Sequence, residues 1–104
     1  MMINTTKLYY LSHPCTSTKK SIIENRIDED ILAVELKIKY LGIHLMRPLQ
    51  LIPSDWGHKK AMVRCFTMIE ACDAVIFADG WEESKGCRME HDFCVKCGIG
   101  IIEV

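Results

Sequence analysis

Residues Cys72–Glu90 read CDAVIFADGWEESKGCRME, and the reading of this stretch decides the fold. Ala74–Ala78 is a short, continuous apolar run of the kind that forms a buried strand. Asp79–Gly80 is turn chemistry, and the acidic loop that follows carries Trp81. Ser84 or Lys85 then opens a helix that Gly98 closes. In a parallel α/β sheet, ligands gather beyond the carboxyl ends of the strands. A helix start at the same place adds unpaired N–H groups and a positive dipole end. Chemistry is expected here before anywhere else in the chain.

Working outward, Lys7–Ser12 (KLYYLS) predicts a first strand, which Pro14 breaks, with Thr16, Ser17 and Thr18 as helix N-cap candidates. An amphipathic helix is predicted from about Lys19 to Leu41. Ile23, Ile27, Ile31, Val34, Ile38 and Leu41 recur at three- and four-residue steps, one continuous stripe of the kind such a helix turns to a core. Gly42 stops it. Ile43–Met46 predicts a second strand, and Leu49–Pro53 reads as a loop with apolar anchoring. Ser54 or Asp55 is expected to cap a helix running to about Ala71, with Met62, Cys65, Phe66 and Ile69 facing inward. The terminal GIIEV supplies a fourth strand.

The resulting order, βαβαβαβ, predicts an α/β fold of the flavodoxin-like or Rossmann-like type. It is a three-layer sandwich over residues 1–104 as a single domain, with a parallel four-stranded sheet of order 2-1-3-4 and right-handed crossovers. That order puts a topological switch between the first and third strands. The loops His13–Ser17 and Asp79–Lys85 would then meet in one crevice.

The 104 residues suffice for one real core. Hydrophobic residues make up 49% and charged residues 26%, an ordinary globular balance. The formal net charge of −1 comes with Lys and Arg scattered among acids. Without a basic stripe, no nucleic-acid partner is expected. No run is long enough to span a membrane and the N-terminus lacks a signal peptide's apolar segment, so no membrane partner and a cytoplasmic location are expected. Six cysteines invite a disulfide or zinc reading. Cys65, Cys72 and Cys94, however, fall inside apolar periodic segments, where free Cys acts as a small hydrophobe. Cys87, His91, Cys94 and Cys97 crowd one helix, and ligands along one helix surround a tetrahedral ion poorly. No resident metal and no cofactor are expected.

Several residues carry both a structural and a chemical reading. Glu90 is either a solvated helix carboxylate or a nucleophile whose pKa the helix amino end lowers. Asp79 is a turn residue, or the second of a pair of carboxylates for glycosyl chemistry. Trp81 is a loop anchor or a stacking face for a base or sugar. Ser84 is an N-cap that, with Gly86, offers a hydroxyl and open N–H groups to a phosphate. Arg88 balances the nearby acids or meets an anion, while Ser12 and His13 furnish the facing loop with donors. Neither GxxxxGK[ST] nor GxGxxG occurs, so ATPase and dinucleotide readings lack their motif.

Tyr10-Leu11-Ser12-His13-Pro14, then Cys72-Asp73-Ala74-Val75-Ile76, then Asp79-Gly80 and Gly86-Cys87-Arg88-Met89-Glu90 together resemble the nucleoside 2-deoxyribosyltransferase superfamily. The chain also resembles small bacterial and phage domains with a GWE-x-S-x-G-x-x-x-E loop, here Gly80 through Glu90. The resemblance spans nearly the whole chain. It implies cleavage or exchange of the N-glycosidic bond of a 2′-deoxynucleoside or its 5′-monophosphate. Glu90 would be the nucleophile, Tyr10 would position it, and Ser84 would lean toward a phosphorylated ligand. It also implies a homodimer or higher homo-oligomer. The chain departs from the pattern at His13, at Asp92 and near Cys65–Phe66, where relatives carry a carboxylate that engages the base. Leaving-group protonation is then expected from Asp79 or another group. The alternative is a non-catalytic nucleotide-binding module, a sensor or sequestering protein.

Overall fold

The structure, a computed structural model, describes residues 3–104; Met1 and Met2, part of the segment weighed above as a leader, lie outside them. The elements in chain order are β1 (Leu8–Ser12), α1 (Ile22–Lys39), β2 (His44–Met46), α2 (Pro48–Leu51), α3 (His58–Glu70), β3 (Ala74–Phe77), a 3-10 turn (Trp81–Glu83), α4 (Lys85–Cys97) and β4 (Gly100–Glu103). The strands form one parallel sheet of order β2-β1-β3-β4. The α/β architecture and the predicted strand order are therefore those of the molecule. β1 and β3, which pair from Tyr9↔Ala74 to Ser12↔Phe77, flank the switch point. No helix among the described residues is long and apolar enough to cross a membrane.

Alternation along the strands divides the core in two. Tyr9, Leu11 and Ile76 pack with Ala33 and Leu36 of α1 on one face. Tyr10, Val75 and Phe77 pack with Met62, Cys65 and Ile69 of α3 and Cys94 of α4 on the other. Phe66 and Phe93 stack between α3 and α4, their centroids 4.6 Å apart. Asp73, just before β3, accepts a hydrogen bond from the Leu8 amide at 2.8 Å, so its carboxylate ties the start of β1 to its neighbour.

Three local expectations are corrected. α1 starts at Ile22, capped by Ser21 rather than by Thr16, Ser17 or Thr18. Ser21 and Glu24 form a reciprocal capping box, which satisfies two amide donors at once. α3 starts at His58 after Gly57, with no side-chain cap from Ser54 or Asp55. Leu49–Pro53 is not wholly loop, because Pro48 at the first helical position starts the one-turn α2.

The fourth correction is the largest. The stripe Ile23, Ile27, Ile31, Val34, Ile38 and Leu41 does not face the core: all six are 51–81% exposed. α1 instead buries Asn25, Glu29, Ala33 and Leu36. The reason lies in specific polar partners. Glu29 is 1% exposed and receives Arg47 in a two-pronged contact, Nε to Oε2 at 2.9 Å and an Nη to Oε1 at 2.5 Å. Asn25 Nδ2 donates to the Cys15 carbonyl at 3.2 Å, holding the helix against the β1 loop. Polar satisfaction on the inner face, with small Ala33 permitting close approach, orients the helix.

Candidate functional site

β1 delivers Tyr10 and Ser12 to the sheet face covered by α3 and α4, since alternate residues share a face. α4 crosses that face and brings Glu90 down onto them. The Tyr10 hydroxyl donates to Glu90 Oε2 and the Ser12 hydroxyl to Oε1, the latter at 2.9 Å. Tyr10 and Ser12 are fully buried and Glu90 is 5% exposed. Burial drives the Tyr10 phenol well above its ordinary pKa, with the Glu90 charge adding to the effect, so it remains a donor.

The charge state of Glu90 differs from the expectation. Desolvation pushes its pKa up to about 7, against the opposing effect of hydrogen bonds from Tyr10, Ser12 and the Cys65 thiol. Glu90 is the sixth residue of α4, beyond the first turn where the dipole acts strongly. Burial therefore outweighs the helix end. The group titrates near neutrality, which suits proton exchange as well as attack.

Glu90 lies in the wall of a cavity of about 240 Å³ beyond the carboxyl ends of β1 and β2, against the start of α4. Its floor also includes Tyr10, Cys65 and Cys87; the β1 loop contributes His13 and Thr16, and the amino end of α4 contributes Ser84 and Gly86. Ser84 is the N-cap, its hydroxyl accepting from the Cys87 amide at 3.4 Å. The space beside it stays open partly because Gly86 has no side chain: a Cβ there would stand 3.4 Å from Met62 Sδ. The two thiols are inert, burial pushing both Cys65 and Cys87 up to about 12.

The remaining candidates lie elsewhere. Asp79 is exposed and lines a separate cavity with His13, Lys20, Asp28 and Glu83. Among the described residues no second carboxylate lines the Glu90 cavity, so the expected Asp79–Glu90 pair is not assembled. The loop turns Asp79 toward α1, away from α4. Trp81 is an anchor, stacked on His91 at 4.3 Å with the rings 6° from parallel and donating to Glu103 at 2.9 Å. Arg88 is exposed and donates to the Glu82 carbonyl at 2.7 Å. None of the three lines the Glu90 cavity.

Their places are taken by residues that sequence reasoning passed over. Ile52 and Trp56, from the segment between α2 and α3, form a wall with His58, the first residue of α3, and Arg26 of α1 forms another. Trp56 carries the Lys60 ammonium over its ring at 4.0 Å. Arg26 donates to the Leu49 carbonyl, while its buried Nε has no partner. The available signal was Trp56 and Arg26 themselves, an aromatic and a cation of the types that bind planar anionic ligands. Among the described residues no group of three or more His, Cys, Asp or Glu side chains is arranged to hold a metal ion. His91 is occupied by Trp81 and Cys94 by the core, which disperses the cluster on α4.

A sequence-family match covers residues 8–103, the family being described as a domain of unknown function (DUF4406). Neither a curated protein nor a solved structure matches the chain.

Proposed function

The chain belongs to the DUF4406 family, and from the cavity around Glu90 we propose a protein that takes a 2′-deoxynucleoside 5′-monophosphate and breaks its N-glycosidic bond. The observation that carries this reading is the carboxylate of Glu90 on a cavity wall, gripped by Tyr10 and Ser12, beside the open amino end of α4. In the ionised form a Glu90 oxygen attacks C1′. The C1′–N bond breaks, its electron pair passes to the base nitrogen, and that nitrogen takes a proton. Water then cleaves the glycosyl ester, giving net retention at C1′. Ser84 and Gly86, with the α4 amides, receive the phosphate, and Trp56 offers a stacking face to the base. His13 and His58 are the cavity groups available to supply the leaving-group proton. His13 Nδ1 donates to the Pro14 carbonyl at 2.8 Å, so its Nε2 has a proton to give only in the imidazolium form.

One observation favours a second reading, nucleotide binding without turnover. Among the described residues the Glu90 cavity has no second carboxylate, and loss of a general acid typically removes about 10²–10⁴-fold of rate. Incubation with each deoxynucleoside 5′-monophosphate, followed by chromatography for free base, separates the two. Base release that Glu90→Gln abolishes supports cleavage. A nucleotide-dependent rise in melting temperature without base release supports binding alone. Neither response to any nucleotide sinks both.

A further inference from the structure

The outer face of α1 is the least protein-like surface of the subunit. Ile23, Ile27, Ile31, Val34, Ile38 and Leu41, the last just beyond the helix, lie in one row opposite the buried Asn25, Glu29, Ala33 and Leu36. The remaining large exposed apolar residues, apart from Ile22 beside the row, are single ones on other elements: Leu51, Val63, Val95 and Val104. From their fractional exposures, the side chains of the row present on the order of 700 Å², above the few hundred Å² usual for a monomer and close to the roughly 800 Å² that each partner buries in a standard interface.

We propose that this face pairs with the same face of a second copy of the chain, with the two α1 helices antiparallel about a two-fold axis. Three features select that occupant. First, the row is self-complementary. Its steps from Ile27 through Ile31 and Val34 to Ile38 are four, three and four residues, the same read in either direction. Antiparallel helices then set Ile27 level with Ile38 and Ile31 with Val34, as an isologous contact requires, with Ile23 and Leu41 at the two ends one residue out of step. Second, the charges beside the row are polarised. Glu24, Asp28 and Asp30 flank its first half, whereas Lys37 and Lys39 close the helix. In the same register Lys37 of each copy comes level with Asp28 of the other, although Lys39 comes level with Arg26 and Asp30 with Glu35; parallel pairing would align the acidic half with the acidic half and lysines with lysines. Third, α1 carries five acidic and three basic residues, the opposite of the Lys- and Arg-rich flanks of a helix that lies on a membrane.

The pairing is also placed to affect the cavity. Ile22 and Arg26 line it, while Ile23 and Ile27 head the row. The second copy therefore borders the mouth of the pocket without needing to enter it.

Sedimentation velocity and light scattering of the full chain test this. The wild type is expected to be a dimer, and Ile31→Lys and Val34→Glu are each expected to halve the mass. Both side chains are exposed on the subunit, so circular dichroism and melting should report an unchanged fold. Because antiparallel pairing sets position 31 against position 34, mixing the two variants is expected to restore a dimer that neither forms alone. A wild type that stays monomeric into the millimolar range overturns the proposal, whether or not it binds lipid vesicles or another protein. A dimer indifferent to both substitutions overturns it as well. Monomeric variants that do not recombine overturn the antiparallel geometry.

Discussion

The phenol of Tyr10 donates to the carboxylate of Glu90 across 80 residues of chain, inside a cavity wall. The contact joins the middle of β1 to the second turn of α4 at the switch point of the sheet. It supplies one of the few favourable partners for a buried charge. Burial and hydrogen bonding act oppositely on Glu90, and burial wins by enough to bring its titration to about 7.

Removing the phenolic hydroxyl should shift that balance further. In Tyr10→Phe, Glu90 loses a donor that stabilises its ionised form, so its pKa should rise above the wild-type value. Leaving a buried acceptor without its partner is expected to cost about 1–3 kcal/mol at pH 8. Carboxylate titration by isotope-edited NMR and urea unfolding measure the two effects. An unchanged Glu90 titration would contradict the assigned contact.

Stability should fall with rising pH on account of the same residue. The native pKa of Glu90, about 7, is raised above its ordinary 4.5. The unfolded chain therefore releases this proton first. The associated stability is fully present below pH 4.5 and is lost progressively as the pH climbs through 7. Glu90→Gln carries no ionisable proton and escapes that loss, so relative to wild type it should gain about 3 kcal/mol between pH 4 and pH 8. Parallel denaturation curves at the two pH values check the difference. A wild-type minus variant difference that does not move with pH would rule it out.

If the ionised carboxylate is the nucleophile, base release should rise as the pH passes through about 7. A pH–rate profile with a limb in that region is expected for wild type, and the limb should move upward in Tyr10→Phe. A flat profile between pH 6 and pH 9 would argue against attack by Glu90.

The two tryptophans should separate cleanly. Trp56 lines the cavity, whereas Trp81 stacks on His91 and contacts Phe77. Trp56→Ala is expected to weaken nucleotide binding by about 1–3 kcal/mol, the scale of one stacked base, with little change in melting temperature. Trp81→Ala should lower the melting temperature and leave affinity nearly intact. Calorimetric titration beside thermal melts distinguishes them, and the reverse pattern would reassign the stacking face.

Glu29 and Arg47 provide the test of how α1 is oriented. Glu29→Ala leaves the Arg47 guanidinium, whose side chain is 13% exposed, with Asp30 as its remaining carboxylate. Breaking a buried pair commonly costs about 3–5 kcal/mol, and the surviving contact places the expectation at the lower end. A loss no larger than that of an exposed pair, measured by urea unfolding, would show that the contact does not hold the helix.

Much of the architecture was legible in the residues. AVIF between Asp73 and Ala78 is a strand because a short apolar run between turn signals has few other solutions. Ser84 and Gly98 bracket α4 because each satisfies orphan backbone groups locally, Gly98 by taking a left-handed φ of 68°. Alternation of strands and helices then led to the parallel sheet and its switch point, and so to the neighbourhood of Tyr10, Ser12, Ser84 and Glu90. These features depend on a few consecutive residues or on a topological rule, which a sequence carries in full.

Which way α1 faces was decided only by the tertiary structure. The period of its isoleucines defines a stripe but not what the stripe meets. The sheet took the side where Asn25 and Glu29 find the Cys15 carbonyl and Arg47, leaving the apolar row outside. The same holds for Glu90, whose pKa depends on its burial and on opposing hydrogen bonds from Tyr10, Ser12 and Cys65 in distant parts of the chain, and for Asp79 and Trp81, which a single loop turn moved out of the cavity. Local order follows from neighbours in sequence; orientation and electrostatics follow from neighbours in space.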